Sequence, residues 1–475
     1  MIVMKFGGSS VATAAAIARV RSIVSREPRP RVIVVSALGG VTDDLLSAAA
    51  SAETGDLRQA LRVIDALGER HRETARAALA SIPTTLLPAL DHCWFRASAT
   101  LRAIARRGRG SARARDEVAA CGELASSLLV RHALEDAGLP AEWIDARRAI
   151  ATDGRHGSAA PLYAPTAGRL RSSVLPVLGR GGIPVVGGFV GSTLRGVTTT
   201  LGRGGSDLSA SLVGACLDAE EIQIWTDVDG LLTADPRVFD RPRPVAALTF
   251  GEAGELAHFG AKVLHPAAVD PAANARIPVR ILNSIRPGAA GTLIAGHHDA
   301  RPGLAALASH RGLAALDVDC TPATRERVLV QLFSECARAM LAVHLAALAD
   351  SRISIVAGSG APLDRVAKAL GRRAGVRRRE GLALLAAVGE GLRERGPGEE
   401  RAAAPRWSPA DVFAALSGIP LHLVSRAPGS RHIAFVLADA DLPTATARLH
   451  HAFLSAPVWH HSPAALRVAA AGGAR

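Results

Sequence analysis

Short apolar runs alternate with amphipathic helical patterns over residues 1–295, and this alternation limits the possible folds more than any other feature. The apolar runs predict buried strands at Ile2–Phe6, Arg31–Ser36, Ile183–Val190, Glu221–Thr226 and Val279–Asn283. Helical patterns lie between them at Ala12–Ser25, Leu57–Leu79, Arg115–Ala137 and Ser206–Leu217, and residues 80–115 indicate helices inserted to one side. We therefore predict an α/β sandwich built on a mostly parallel sheet.

The pattern changes after residue 295. Shorter strand and helix patterns follow, at Leu313–Val318, Val328–Leu345, Ile353–Ala357, Leu382–Val388, Ala410–Leu416, Leu421–Val424 and Ile433–Val436. They predict two ββα-type domains at residues 305–390 and 391–475, after a first domain at 1–295. The charged, Gly- and Pro-bearing segment Arg393–Pro405 is typical of a mobile loop.

The basic charge of the chain does not indicate a nucleic-acid partner. The formal net charge is +13, but arginines are scattered along the chain and aromatic residues make up only 3%. Only three of the 56 basic residues are lysines, namely Lys5, Lys262 and Lys368. Lysine is a compact point charge whereas arginine is a broad planar fork, so Lys5 and Lys262 indicate sites where arginine cannot substitute.

Five widely spaced cysteines form no CxxC pair and predict neither a disulfide framework nor a zinc site. The chain runs directly into a strand at Met1–Phe6, and no long uncharged apolar stretch indicates a membrane span. We expect a soluble cytoplasmic protein with no membrane partner.

The first candidate site is Lys5-Phe6-Gly7-Gly8-Ser9, between the first strand and the first helix. Two glycines at such a turn allow a close approach to an anion and a positive φ. The following helix N-terminus adds free N–H groups and a positive dipole end. An ordinary turn remains an equally good interpretation of this motif alone.

A second motif, Gly202-Arg203-Gly204-Gly205-Ser206-Asp207, also opens a helix. Its N–H groups can bind an acidic ligand, and Arg203 can hold a carboxylate with two parallel hydrogen bonds. Asp207 is placed either to cap the helix or to orient a cation.

Two later motifs carry polar groups suited to a nucleotide. Trp225–Arg237 offers hydroxyls and carboxylates for a ribose, an adenine edge and Mg²⁺, although its Asp-Gly and Asp-Pro pairs also favour plain turns. Gly260–Pro266 carries Lys262, placed to meet phosphates, and His265, for which a structural role is the better interpretation.

Six segments in this order resemble the aspartokinase branch of the amino-acid kinase family: KFGGSSV, VVSALGGVTDDL, CGELASSLL, GRGGSD, TDVDGLLTADPR and GAKVLHP. The resemblance covers residues 1–295. It implies a carbamate-kinase-like three-layer α/β/α sandwich that phosphorylates the β-carboxylate of L-aspartate with ATP and Mg²⁺, the first step towards lysine, threonine and methionine.

The resemblance also implies roles for individual residues. The implied catalytic residues are Lys5, Asp207 and Lys262. The implied aspartate-binding residues are Ser36, Thr42, Glu123, Arg203 and Ser206, with Glu123 facing the α-ammonium group and Arg203 a carboxylate. The implied ATP-binding residues are Lys5, Gly7, Gly8, Ser9, Thr226, Asp227, Leu232, Arg237 and Lys262, with no protein-held metal. Leu232 stands where the family usually has tyrosine.

Residues 305–475 resemble, less closely, the paired ACT domains of aspartokinases. The patterns of these units are typical of amphipathic sheets that bury one face against another copy, so we expect a homo-oligomer. The resemblance leaves open whether an amino-acid effector binds, because His344 stands where lysine-sensing members usually have aspartate. Two alternatives also stay open, a same-fold kinase acting on another small amino acid and a catalytically dead amino-acid sensor.

Overall fold

The computed structural model describes residues 1–261, 266–296, 303–371, 375–393 and 408–455. It divides into two compact units. The first contains residues 1–231, 246–250 and the described residues from 266 to 296. The second contains residues 232–245, 251–261 and the described residues from 303 to 455.

The first unit is built on a mostly parallel sheet. Its strands are, in chain order, β1 (Ile2–Phe6), β2 (Arg31–Val35), β3 (Ala141–Ile144), β4 (Ala151–Thr152), β5 (Ile183–Gly187), β6 (Val190–Thr193), β7 (Thr198–Thr200), β8 (Glu221–Thr226), β9 (Ala247–Thr249), β10 (Val279–Asn283) and β11 (Thr292–Ala295). Among the described residues, the large sheet has the order β3-β5-β2-β1-β8-β10-β11-β9, and β4, β6 and β7 form a small second sheet. Within the part of the chain that the structure describes, only the β10–β11 pair of the large sheet is antiparallel.

Helices cover both faces of the large sheet. They are α1 (Ala14–Arg26), α2 (Val41–Glu53), α3 (Leu57–Ala78), α4 (Leu86–Arg107), α5 (Ala112–Asp136), α6 (Ala146–Ala149), α7 (Tyr163–Gly179), α8 (Gly205–Cys216), α9 (Phe250–His258) and α10 (Pro266–Asn274). Ile2, Met4 and Phe6 join one core with residues of α1–α5. Successive side chains of a strand point to opposite faces, so Lys5 lies on the other face, where α8 packs. The predicted sandwich is confirmed.

The predicted elements differ from the structure in two places of the first unit. A short 3₁₀ turn, Gly8–Val11, precedes α1, whose first turn is capped by the Thr13 hydroxyl accepting from the Ala16 N–H. The predicted strand Ile183–Val190 is two strands, because Phe189 adopts φ 63° and the chain turns there.

The second unit contains one antiparallel sheet in its described part. The strands are β12 (Ala306–Asp319), β13 (Val343–Ala349), β14 (Arg352–Gly358), β15 (Val376–Val388), β16 (Leu421–Ser425) and β17 (His432–Ala438), in the order β13-β14-β12-β15-β17-β16. The helices are α11 (Arg325–Ala339), α12 (Ala361–Leu370), α13 (Pro409–Ala415) and α14 (Leu442–Leu449). The segment Val328–Leu345 is not one helix, since Met340 ends α11 at φ 52° and β13 follows.

The two predicted ββα-type domains share this sheet. β12 pairs with β14 through Leu313–Asp319 and with β15 along both halves, including Ala306–His310. The domain boundaries near residues 295, 305 and 390 stay predictions. Beyond Arg393, the predicted mobile loop lies outside the described residues.

Two further observations concern membrane-spanning helices and cysteines. In the ranges that the structure describes, no helix is long and apolar enough to cross a bilayer. All five cysteines are free, as the sequence predicts.

Candidate active site

Residues of several sequence motifs lie at one edge of the large sheet. β1, β2, β5, β8 and β10 are parallel neighbours, so their carboxyl ends lie together. The residues that follow these ends are Gly7, Ser36, Gly188, Asp227 and Ser284. Ligands of open α/β sheets bind in the crevice outside the carboxyl ends.

The glycine turn after β1 depends on close packing. Gly7 is extended, with φ −69° and ψ 166°, and its N–H donates to the Trp225 carbonyl at 2.9 Å. A Cβ at Gly8 would lie 3.0 Å from the Ala37 carbonyl oxygen, and the Gly39 N–H donates to the Gly8 carbonyl at 3.0 Å. The prediction that these glycines supply positive φ was wrong, and the close approach of the two loops requires glycine at Gly8.

Lys5 and Asp207 form an ion pair across this edge. The Lys5 Nζ lies 2.5 Å from the Asp207 Oδ1, and their side chains are 9% and 15% exposed. Asp207 belongs to the first turn of α8, where a carboxylate is also favoured by the helix dipole. The pair places a cation beside the Gly7–Gly8 turn, because a Cβ at Gly7 would lie 3.6 Å from Nζ.

The Arg203 loop requires glycine at two positions. Gly202 and Gly204 have φ values of 78° and 69°, and Gly204 is the N-cap residue of α8. Arg203 between them is exposed, and no described residue forms a hydrogen bond or ion pair with its guanidinium. The Ser206 side chain lies so close to Gly188 that a Cβ there would come within 2.7 Å of the serine Cβ.

Glu123 brings a buried carboxyl group to the end of β2. Gly122 allows this approach, because a Cβ there would lie 2.9 Å from the Ala37 Cβ. Glu123 is 3% exposed, and its Oε2 has no hydrogen-bond partner in the described part of the chain. Burial raises the pKa of Glu123 to about 8, while the backbone N–H groups of Ala37 and Glu123 and the charge of Lys5 act in the opposite direction.

The other residues predicted to bind aspartate or phosphates lie near the same edge of the large sheet. The Ser36 N–H donates to the Phe6 carbonyl at 3.1 Å, and Thr42 lies half-buried in the first turn of α2. Ser9 is exposed. Sequence reasoning missed the buried Ser10, whose hydroxyl lies 2.8 Å from that of Ser284 and joins the glycine turn to the end of β10. The only signal for Ser10 is its place beside Ser9.

The residues predicted to bind the nucleotide do not all belong to the first unit. Thr226 ends β8, and its hydroxyl donates to the exposed Asp227 carboxylate at 3.1 Å. Leu232 and Arg237 belong to the second unit, where Leu232 bridges to Pro244 and Arg237 pairs with Asp235 at 2.5 Å. Lys262 and His265 lie outside the described residues.

No cluster of three or more metal-ligating side chains occurs among the residues that the structure describes. Mg²⁺ in phosphoryl-transfer sites needs only one or two carboxylates together with substrate phosphates and water. The exposed Asp227, directly after the carboxyl end of β8, is a donor of this kind. The residues present therefore fit a Mg²⁺ ion that arrives with a nucleotide.

Comparison with known proteins agrees with the family resemblance of the sequence motifs. Residues 1–283 match the family model described as the amino acid kinase family. The chain is 32% identical over 460 residues to the lysine-sensitive aspartokinase 3 of Escherichia coli (strain K12), covering 95% of this chain and 98% of the relative.

Two solved structures of E. coli aspartokinase III are similar to most of the chain. The complex with aspartate and ADP (R-state) has a TM-score of 0.79 at 30% identity and covers 95% of this chain and 99% of that one. The complex with lysine and aspartate (T-state) has a TM-score of 0.81 at 30% identity, with 96% and 100% covered.

Proposed function

Because the chain belongs to the amino acid kinase family, in its aspartokinase branch, we propose that it transfers the γ-phosphoryl group of ATP to the side-chain carboxylate of L-aspartate. The products are 4-phospho-L-aspartate and ADP, and the reaction is the first step towards the aspartate-derived amino acids. The observation that carries this proposal is the buried Glu123 carboxyl, which has one unpartnered oxygen (Oε2) among the described residues and lies close enough to Lys5 to feel its charge.

The chemistry needs no general base. An oxygen of the aspartate β-carboxylate forms a bond to the γ-phosphorus as the bond to the β,γ-bridging oxygen breaks, and ADP leaves with that electron pair. Both reactants are anions, so the enzyme has to bring them together and stabilise the charge on the oxygens in transfer. Positive groups and oriented N–H dipoles supply this stabilisation.

The proposed roles follow from charge and placement. Lys5, held by Asp207, faces the transferred group, and the backbone of Gly7 and Gly8 lies against the phosphates. Arg203 is exposed and free to take a substrate carboxylate with two hydrogen bonds. Glu123 receives the α-ammonium group, with Ser36, Thr42 and Ser206 around it, and Mg²⁺ neutralises the phosphates of ATP when bound.

The fold of the second unit supports a further proposal about assembly and regulation. Its antiparallel sheet with helices matches the predicted ACT-like pair, and we extend the proposal to a cytoplasmic homo-oligomer whose second unit is regulatory. The E. coli relative is solved with lysine bound, which makes lysine the first effector to test on this chain.

ADP release coupled to a panel of small amino acids tests the function. Purified full-length protein with ATP and Mg²⁺ should release ADP with L-aspartate and much more slowly with glutamate, asparagine or no acceptor. Preference for another amino acid would favour a same-fold kinase of different substrate, and ADP release with none would favour a sensor. Hydroxylamine trapping of the acyl phosphate shows that a carboxylate is the acceptor.

A further inference from the structure

A second buried carboxylate lies on the same helix as Glu123. Asp116 is 2% exposed and precedes Glu123 by seven residues of α5, close to two helical turns, so the two carboxyl groups share one face. Burying a carboxylate is costly unless hydrogen bonds satisfy it. Asp116 is satisfied entirely by groups from other segments.

Three donors converge on Asp116. The Thr200 hydroxyl donates to its Oδ1 at 2.6 Å and the Gly157 N–H donates at 3.0 Å. The Nδ1 of His156 lies 2.7 Å from Oδ2. Hydrogen bonds to a charged acceptor are stronger than those between neutral groups, so this carboxylate holds its donors firmly.

These donors belong to the two segments that support the Arg203 loop. Thr200 ends β7, three residues before Arg203. His156 and Gly157 belong to the loop after β4, which is joined to β7 by the Ala159 N–H donating to the Thr200 carbonyl at 2.9 Å. A Cβ at Gly202 would lie 3.2 Å from the Gly157 carbonyl oxygen, so this loop packs directly on the turn.

We infer that Asp116 is a positioning residue for the amino-acid substrate, which sets the place of Arg203 by holding β7 and the 153–160 loop together. The inference rests on the proposed function, since it concerns the carboxylate that Arg203 binds. Asp116 acts through the 153–160 loop. Helix α5 thereby carries two groups, Glu123, which binds the ammonium group, and Asp116, which supports the Arg203 that binds the carboxylate.

The neighbouring threonine offers a matched control. Thr199 and Thr200 are 0% and 3% exposed and point to opposite faces of β7. The Thr199 hydroxyl bonds that of Thr152 at 2.6 Å, the same length as the bond from Thr200 to Asp116. Valine at either position removes one buried hydroxyl without changing the shape of the side chain.

The test compares Thr200→Val, Thr200→Ser and Thr199→Val in the full-length enzyme. Thr200→Val should raise the aspartate KM about tenfold or more, equivalent to about 1.4 kcal/mol, with the ATP KM within about twofold of the parent value. Thr200→Ser keeps the hydroxyl and should restore the parent KM. Thr199→Val removes a bond to the end of β4, not one to Asp116, and should lose a similar amount of thermal stability while changing the aspartate KM much less than Thr200→Val does.

Equal aspartate KM values for the two valine variants, in an enzyme that releases ADP with aspartate, would overturn the inference alone. A rise in the ATP KM as large as that for aspartate would also overturn it, because the loop would then serve the nucleotide. A parent enzyme without aspartate-dependent ADP release overturns the proposed function, and the inference falls with it.

Discussion

At the scale of single residues, the Lys5 ammonium is confined on two sides. Its Nζ lies 2.5 Å from Asp207, and a Cβ at Gly7 would lie 3.6 Å away. The side chain is 9% exposed, so little space remains for a group wider than an ammonium. The chain retains lysine here although all but three of its basic residues are arginine.

Lys5→Arg should therefore nearly abolish turnover although the charge is conserved. A planar guanidinium cannot occupy the place of a point charge beside the glycine turn. The measurement is kcat for ADP release, and Lys368→Arg, on the exposed side of α12, serves as the control. Activity of Lys5→Arg within about threefold of the parent, roughly 0.7 kcal/mol, would contradict this explanation.

Glu123 makes aspartate binding depend on pH. Burial raises its pKa to about 8, so the carboxyl of the free enzyme is mostly protonated at pH 7. An ammonium ligand binds the carboxylate form, and the aspartate KM should fall as the pH rises from 6.5 to 8.5. Glu123→Gln should show a higher KM that no longer falls over this range. A parent KM that rises with pH would contradict the assignment.

The same shift affects stability with a definite sign. The pKa of Glu123 rises from 4.5 to about 8 on folding, so between these values the folded state holds a proton that the unfolded state has lost. Its contribution to the free energy of unfolding is complete below 4.5 and is lost as the pH rises towards about 8. The Glu123→Gln side chain cannot ionise, so the free energy of unfolding of this variant should not show the loss. Denaturant titration of both proteins over the same pH range makes the comparison.

At the scale of elements, α5 has to approach the loop after β2 closely. Alanine normally stabilises a helix interior relative to glycine by about 0.5–1 kcal/mol. At Gly122 the added Cβ would lie 2.9 Å from the Ala37 Cβ and 3.2 Å from a methyl carbon of Val41. Overpacking of this kind costs about 1–3 kcal/mol.

Gly122→Ala should therefore lower stability and weaken aspartate binding, because it displaces the helix that carries Glu123. Gly168→Ala is the matched control, since Gly168 lies inside α7 and its Cβ would meet no atom within 4 Å. The control should be neutral or more stable. Chemical denaturation and the aspartate KM of both variants are the measurements, and equal stability of the two would show that the loop yields freely.

The sequence predicted those elements whose signal is local. β1, β2, β8 and β10 follow from short apolar runs, and the glycine turns follow from the residues themselves. The break at Phe189 and the strand β13 depend on non-local contacts, since the Gly188 N–H donates to the Val35 carbonyl and β13 pairs with β14. Asp116 was missed because its donors lie 40 or more residues away.

At the scale of the whole molecule, the second unit holds a segment of the predicted nucleotide motif. The Leu307 N–H donates to the Thr233 carbonyl at 2.8 Å, and the Thr233 hydroxyl lies 2.9 Å from the His450 Nε2. Ala234 joins the core formed by residues of β15, β17 and α14. Residues 232–245 therefore depend on the C-terminal part of the chain for their packing.

Truncation after about residue 300 should remove these partners and inactivate the protein, although the residues of all the motifs remain. The exposed apolar surface should also make the product poorly soluble or wrongly assembled. Soluble yield, size-exclusion chromatography and aspartate-dependent ADP release of the truncated and full-length chains are the measurements. A soluble truncated enzyme with the parent kcat would show that the segment folds without the second unit.

Regulation by lysine should be weak or absent, because His344 stands where the resemblance to lysine-sensing aspartokinases implies an aspartate. The His344 ring contacts the His310 ring in a tilted arrangement, with ring centroids 4.6 Å apart. Burial, with smaller contributions from His310 and His258, lowers its pKa to about 4, so the ring is neutral at pH 7.5 and attracts no ammonium group. Half-inhibition by lysine should need more than about 1 mM, the scale of a site of about 4 kcal/mol, and should not change between pH 6.5 and 8.5.

His344→Asp introduces a carboxylate and should lower the lysine concentration for half-inhibition. Initial rates at increasing lysine decide the matter, and half-inhibition of the parent below about 1 mM would show that other residues build the effector pocket.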